Sequence, residues 1–449
     1  MRKNEIYEAE ITGMTNEGAG VCRVDGMAVF VPMTAVGDRL RVRIVKVLKS
    51  YAFGIIEELL TPGAGRIEPD CPVFRQCGGC CYRHVDYATE SAYKAQQVRD
   101  AFERIGGLSP EFESILAGES REGYRNKAQY PVAEANGHLV CGFYAKHSHR
   151  VTPYTRCPLQ PARFAEMVEW LLPKLEAAGV TAYHEEQHTG ELRHIYLRQG
   201  YHSGEMMLCL VVRVSIAKKL AALLPDLQAA FPELVSITEN LNEKQTNVIL
   251  GKRLRVLAGK GTIEDTMCGN RVELSPLSFY QVNTAQAERL YAVAKEYAAL
   301  RGDALLLDLY CGAGTIGLSM AKDVGRLIGV EVIPEAVENA RENAARNGIA
   351  NAEFYCGDAG VIAAKLLERG TAPDVIVLDP PRKGCDSVTI DAVAGMQPER
   401  IVMISCNPAT AARDCKAFAV LGYRTIRVRA VDMFGGTAHV EAVILLSRQ

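Results

Sequence analysis

The spacing of hydrophobic and polar positions changes character several times along the chain. Residues 4–60 alternate with period two. Segments 6–11, 27–31, 39–44 and 52–56 each read as a half-buried strand, with turns at 16–20 and at Asp25-Gly26. Short strands separated by glycine turns predict a small β barrel. Residues 86–105 switch to helical spacing, with Ala95, Val98, Phe102 and Ile105 on one side and Gly106-Gly107 as the stop. Residues 160–265 alternate helix and strand. Helices are expected over 162–178 and 217–231, kinked or shortened by Pro173 and Pro225, and strands over 195–198 and 206–214. A helix over 284–300 follows Gln281 and Asn283. From Leu305 the pattern is βα throughout: apolar runs at 304–308, 326–330, 353–356, 374–378 and 400–404 read as buried parallel strands. Two later strands, about 425–431 and 439–446, complete that sheet.

In an open parallel sheet, functional groups gather beyond the carboxyl ends of the strands. Here those ends carry Asp308-Leu-Tyr310-Cys-Gly312-Ala-Gly314, Glu331, Asp358, Asp379-Pro-Pro-Arg382 and Ser405-Cys406-Asn407-Pro408. Gly312 and Gly314 permit a tight turn and close backbone approach to a ligand. Glu331 follows about 20 residues later, where such folds set a carboxylate on ribose hydroxyls. The run Gly312-Ala-Gly314-Thr-Ile-Gly317 also fits the dinucleotide fingerprint. Asp379-Pro-Pro and Ser405-Cys406 instead favour a methyltransferase using S-adenosylmethionine.

Composition narrows the class. The chain has 449 residues, enough for two or three domains, with 23% charged and 48% hydrophobic residues. No apolar run is long enough for a membrane span, and the start leads into a strand, not a signal segment. The net charge of −2 means that any nucleic-acid binding comes from local patches. Arg39, Arg41 and Arg43 alternate on one strand face and, with Lys46 and Lys49, have no acid among them in sequence; an RNA-backbone footprint competes with a solvated edge strand. Arg121, Tyr124, Arg125, Lys127 and Tyr130 interleave base and aromatic, as do His147, His149 and Arg150 nearby. The fourteen cysteines suggest a reducing, cytoplasmic setting. The spacing Cys71-x5-Cys77-x2-Cys80 suits a loop around a metal centre, with Cys81 competing with Cys80 and Cys157-Pro158 as the best fourth ligand. Thiolate sites favour iron–sulfur clusters or zinc.

Glu17-Gly-Ala-Gly20 and Phe30-Val-Pro32 resemble a TRAM domain, an OB-like RNA-binding barrel. Asp308–Gly314, Asp379-Pro-Pro-Arg-Lys-Gly384, Ser405–Thr410 and His439-Val-Glu441 together resemble the RNA uracil-5-methyltransferase family. The barrel and cysteine set resemble its branch that methylates 23S ribosomal RNA. That resemblance implies an α/β protein: a Rossmann-like class I methyltransferase domain (86–117 and 271–449), a TRAM barrel (1–62) and a central α+β domain carrying a cysteine cluster (63–85 and 118–270). It implies Cys406 as nucleophile at uracil C6 and Glu441 as the base removing the C5 proton. Gln281, Tyr310, Gly312, Glu331, Asp358 and Asp379 would bind S-adenosylmethionine. Cys71, Cys77, Cys80 and Cys157 would hold a 4Fe–4S cluster. The implied partner is 23S rRNA, bound by a monomer. The competing expectations are a tRNA uracil-5-methyltransferase, whose branch typically lacks the barrel and cysteine set, an RNA cytosine-5-methyltransferase, which usually pairs two cysteines, and a non-catalytic iron–sulfur RNA-binding protein.

Overall fold

The computed structural model describes all residues, Met1–Gln449. Its N-terminal part is a curled six-stranded sheet in which Ile6–Glu10, Arg39–Val47, Tyr51–Thr61, Met27–Pro32, Ala19–Val24 and Gly13–Met14 are successive neighbours. Alternate residues, including Cys22, Val29, Val31, Leu40, Val42 and Ile44, fill the interior. The expected turn at 16–20 is shorter than its glycines suggest, and strand resumes at Ala19. Arg39, Arg41 and Arg43 do share the outer face. They are not a bare positive stripe. Arg41 contacts Glu58 at 2.8 Å and Glu8 at 3.5 Å, and Arg43 contacts Glu57 at 2.8 Å. The acids come from neighbouring strands, so the run along one strand gave no sign of them.

The central part is a seven-stranded sheet, covered on one side by the helix Ala162–Ala177. That helix passes through Pro173 without ending, contrary to expectation. Pro173 and Glu169, whose carbonyl loses its partner, both lie on the exposed side, while Phe164, Val168, Leu171 and Leu175 hold the other side in the core. The helix expected over 217–231 does split, into Ala217–Leu220 and Leu224–Ala230, with Pro225 starting the second.

The C-terminal part is an eight-stranded sheet. Its order is Ala352–Cys356, Arg326–Glu331, Leu305–Leu309, Val375–Leu378, Arg400–Ser405, Glu441–Arg448, Tyr423–Val431 and Glu111–Phe112. The first five are parallel and Glu441–Arg448 is antiparallel to its neighbours. Successive residues enter opposite cores: Leu306, Val377 and Ile404 on one side, Leu307, Leu378 and Met403 on the other. Both faces are thus helix-covered, which explains why these strands read as continuous apolar runs. The helix Tyr87–Asp100 is capped by Asp86, whose carboxylate accepts from Thr89 N at 2.7 Å. It continues as a wider turn over Ala101–Gly106, and Phe102 joins the same core as Leu307. No helix is long and apolar enough to cross a membrane.

Candidate active site

The glycine turn after Leu305–Leu309 is built for a ligand. Tyr310, Gly312 and Gly314 all have positive φ, at 66°, 55° and 80°. A Cβ on Gly314 would press on Leu318, Ala340 and Phe354, whereas one on Gly312 would meet nothing, so that backbone faces open space. Asp308 ties the turn to the next helix by accepting from Gly317 N at 2.9 Å. Its other oxygen is buried without a partner, and burial pushes its carboxyl up to about 8. Glu331 accepts from Gly312 N at 3.1 Å and Ile333 N at 2.8 Å. These elements border a cavity of about 580 Å³ that also takes in Tyr310, Gly312, Asp358, Asp379 and Phe279. Asp358 caps the helix Ala359–Glu368 at the cavity's exposed edge.

A second cavity, of about 260 Å³, adjoins the first, and Asp379 and Phe279 line both. Its wall holds Cys406, Glu441, Gln281, Arg125 and Lys127. The segment Ser405–Pro408 is rigid for local reasons. Ser405 Oγ accepts from Asn407 N at 3.2 Å, Asn407 caps the helix Pro408–Val420, and Pro408 occupies that helix's first turn. Asn407 also donates to Arg382 O at 3.0 Å, fixing the Asp379–Arg382 loop beside Cys406. Ser405 pairs with Ala442 across antiparallel strands. That pairing ends at Ser405, and it brings the next residue, Cys406, and the first residue of the partner strand, Glu441, to the wall of the same cavity.

The loop before Glu441 is held from below by a buried ion network. Lys94 donates to Glu90 and Asp432, each at 2.7 Å, and to Phe434 O at 3.2 Å; Glu90 also accepts from Gly436 N at 2.6 Å. Such a network is of little net stabilising value, but breaking it leaves an unpaired buried charge, so it fixes this loop in one conformation. Sequence reasoning passed over it; its members are scattered through the chain, and only the helix spacing of Glu90 and Lys94 gave a local sign.

The electrostatics of the second cavity run against ionisation. Burial raises Glu441 to about 8, helped by Asp379 and opposed by Arg382, and burial raises Asp379 to about 7. Burial, then the charges of Glu441 and Asp379, push the Cys406 thiol up, while Arg382 pulls it down. Burial, with Arg198 and Arg125, lowers Lys127 to about 8. Sequence reading had assigned Arg125 and Lys127 to a general RNA-binding stretch, and it had missed Phe279 and Phe434; the fold brings all four to this wall.

The cysteines behave separately. Cys71, Cys77, Cys80 and Cys157 line one pocket with Phe74, Phe143, Tyr154 and Arg125. Cys81 is turned away, packing against Gly18 of the barrel. Burial raises Cys157 to about 11, with Cys77 and Cys71 adding to it. No three Cys, His, Asp or Glu side chains gather closely enough to hold a single ion; thiolates around an iron–sulfur cluster each meet a different iron, so that spacing does not bear on a cluster.

Known proteins resemble this arrangement. The sequence matches the tRNA (Uracil-5-)-methyltransferase family over residues 263–449 and the TRAM domain family over residues 2–56. An uncharacterized RNA methyltransferase of Clostridium tetani is 40% identical over 447 residues, covering 100% of this chain and 97% of that protein. One from Halalkalibacterium halodurans is 41% identical over 447 residues, covering 99% and 98%. The crystal structure of Pyrococcus abyssi tRNA (uracil-54, C5)-methyltransferase, in complex with S-adenosyl-L-homocysteine, is similar with a TM-score of 0.78 and 25% identity. It covers 98% of this chain and 100% of its own. With a class I methyltransferase-like fold, a TRAM match and full-length relatives of this identity, the chain belongs to the RNA uracil-5-methyltransferase family.

Proposed function

We propose that the protein transfers a methyl group from S-adenosylmethionine to C5 of a uridine in RNA, through a covalent bond between Cys406 and uracil C6. The observation that carries this is the adjoining pair of cavities: Asp379 lines both, and Cys406 and Glu441 share the wall of the smaller one. S-adenosylmethionine supplies an electrophilic methyl on a sulfonium. Glu331 and Tyr310 would hold it in the larger cavity, with Gly312 allowing close backbone approach, Asp358 at the adenine end, Asp379 at the junction, and Gln281 reaching it from the smaller cavity. Uracil C5 is a poor nucleophile. Attack by the Cys406 thiolate on C6 moves electron density to C5 and splits one hard step into easier ones. After methylation, C5 must lose its proton before Cys406 leaves. Glu441, a carboxylate of raised basicity in the same wall as Cys406, would take it. Arg382 favours the thiolate.

For the substrate, the comparisons favour tRNA over the 23S rRNA expected from the sequence. The expectation rested on the tRNA branch typically lacking the barrel and cysteine set. The Pyrococcus abyssi tRNA (uracil-54, C5)-methyltransferase nonetheless matches 98% of this chain. The second reading, 23S rRNA, rests on the combination of TRAM and cysteine motifs. The test is incubation of purified protein and methyl-labelled S-adenosylmethionine with unmodified tRNA and unmodified 23S rRNA separately. Label in tRNA as 5-methyluridine is expected. Label only in 23S rRNA would move the substrate to the second reading, and none in either would overturn the activity.

The four cysteines fit a 4Fe–4S cluster by donor chemistry, four thiols in one largely apolar pocket. Bound there, it would cross-link the 71–80 loop to the turn at Cys157. Anaerobically purified protein should contain iron and acid-labile sulfide; zinc without sulfide would refute the cluster.

A further inference from the structure

A cavity of about 420 Å³ opens on the central sheet, separate from the two just described. It is polar and aromatic, with Tyr144, His149, Tyr183, Arg193 and His194 in its wall. Its size is that of a small-molecule site.

His194 is its most informative residue. It is 6% exposed, it lines the cavity, and neither ring nitrogen has a partner. A buried imidazole in that state has unmet hydrogen-bonding capacity. Burial, with Arg193, holds it down at about 4, so the ring is neutral and offers one donor and one acceptor. Arg193 donates from its two terminal nitrogens to the carbonyls of Asn242, Lys244 and Thr246 at 2.6–3.0 Å, its guanidinium lies 4.5 Å from the Tyr183 ring centre, and its buried Nε–H has no partner. Tyr144 stacks on His149 at 5.4 Å, and His149 contacts Glu185 at 2.7 Å. The inner wall therefore offers flat rings and a neutral donor–acceptor pair. Glu134 and Glu185 balance Arg150 and Arg193 around it, so the lining carries no excess positive charge to select a phosphate. Such a wall suits a planar heterocycle with a polar edge.

Its position says which heterocycle. Lys127 pairs with Arg198, and Pro131 with His194, so Lys127, Arg198 and His194 project from one face of the sheet. Tyr144 shares that face through Val140, the cross-strand partner of Ala133. Lys127 is in the wall of the cavity that holds Cys406. Arg198 braces the same region by donating to Ser275 O at 3.0 Å and Ser278 O at 2.9 Å, just before Phe279 and Gln281. From Arg198 to His194 is about 13 Å along the strand, at about 3.3 Å per residue. Tyr196 and Arg198, between the two cavities on that face, are fully buried, so RNA passes around them and this separation is a minimum, equal to roughly two to four nucleotides at a rise of about 3.4 Å stacked to about twice that splayed.

We propose that this cavity is a second base-binding site, which takes an unpaired nucleobase of the substrate RNA a few nucleotides from the target uridine. It rests on the RNA reading above and adds a subsite to it. The ring stacks on Tyr144, because the Arg193 guanidinium already covers a face of Tyr183, and its polar edge meets His194.

The test uses the full-length protein and a fragment of whichever RNA it methylates. Each nucleotide flanking the target is replaced in turn by an abasic one, and dissociation constants are read by fluorescence anisotropy. One position beyond the immediate neighbours should weaken binding by about 5- to 150-fold, the range of base–aromatic stacking. That penalty should disappear in Tyr144→Ala, a half-exposed substitution compatible with folding, and shrink in His194→Phe, which keeps volume but removes the polar edge. A flat scan in the wild type would overturn the site, as would a penalty that Tyr144→Ala leaves unchanged. If neither tRNA nor 23S rRNA is methylated, the RNA reading itself fails and this site with it; methylation with a flat scan removes the site alone.

Discussion

The outer face of the barrel and the wall around Cys406 both carry charged residues that the sequence singled out, and they treat charge in opposite ways. On the barrel, Arg41 and Arg43 stand in solvent and each finds an acid on the next strand. Exposed pairs of this kind contribute about 0.2–1 kcal/mol and are screened by salt. Around Cys406, Asp379 and Glu441 face each other with Arg382 as the opposing cation, and burial raises both carboxyls toward neutrality. The first arrangement neutralises charge at little consequence. The second keeps carboxyls that would rather hold a proton, which is what a general base needs. A run of like charge in sequence is therefore weak evidence of a patch, while a lone acid at a strand end can be decisive.

The comparison breaks most visibly at Cys406. Cys406→Ala should abolish methyl transfer while leaving S-adenosylmethionine affinity, by calorimetry, close to wild type. Glu441→Gln should lower turnover by about 10²–10⁴-fold and leave a protein–RNA adduct on a denaturing gel, because attack survives and proton removal does not. Full activity of the Cys406 variant would end the covalent mechanism.

Glu331 lies between the two extremes, a partly exposed acid already engaged by two backbone N–H groups. If it also holds the cofactor's hydroxyls, Glu331→Gln should weaken S-adenosylmethionine binding about tenfold to a hundredfold, the equivalent of a charge-assisted hydrogen bond. An unchanged dissociation constant would reduce it to a brace for the Gly312 turn.

Stability against pH sharpens the contrast. A carboxyl with a raised folded value binds more protons in the native than in the unfolded state between its ordinary value, about 4, and its folded one. Stability contributed by Glu441 and Asp379 is therefore lost as pH rises through that window, up to about 7 for Asp379 and about 8 for Glu441. Glu441→Gln and Asp379→Asn should melt with wild type near about pH 4 and increasingly above it by about pH 8. A melting-temperature difference independent of pH would mean that these carboxyls ionise freely.

The smallest effect belongs to the barrel. Free phosphate-binding cations on single-stranded RNA lower the salt slope by about 0.7 each when removed, or about 2 for three. Because Arg41 and Arg43 already have acidic partners, the Arg39/Arg41/Arg43→Ala variant should change the slope by less than about 1. A change of the full size, in binding measured across a salt series, would show that RNA displaces the glutamates.

Much of this architecture was legible in the sequence. The βα alternation from Leu305, the strand-end acids and the Ser405–Pro408 turn needed only local rules, because periodicity and capping depend on residues a few positions apart. Pro225 broke its helix as read; Pro173 did not, because its orphaned carbonyl faces water. Cys406 and Glu441 stand in motifs visible in the sequence, but their place in one cavity wall was decided by the antiparallel register of Glu441–Arg448 on Arg400–Ser405, set by the whole sheet. The same holds for the acids opposite the barrel's arginines, for Cys80 rather than Cys81 facing the cysteine pocket, and for His194, silent in sequence and left without a partner by its place on the central sheet. Pairing and burial are properties of neighbours in space, and the chain brings those neighbours from tens to hundreds of residues away, beyond the reach of any local pattern.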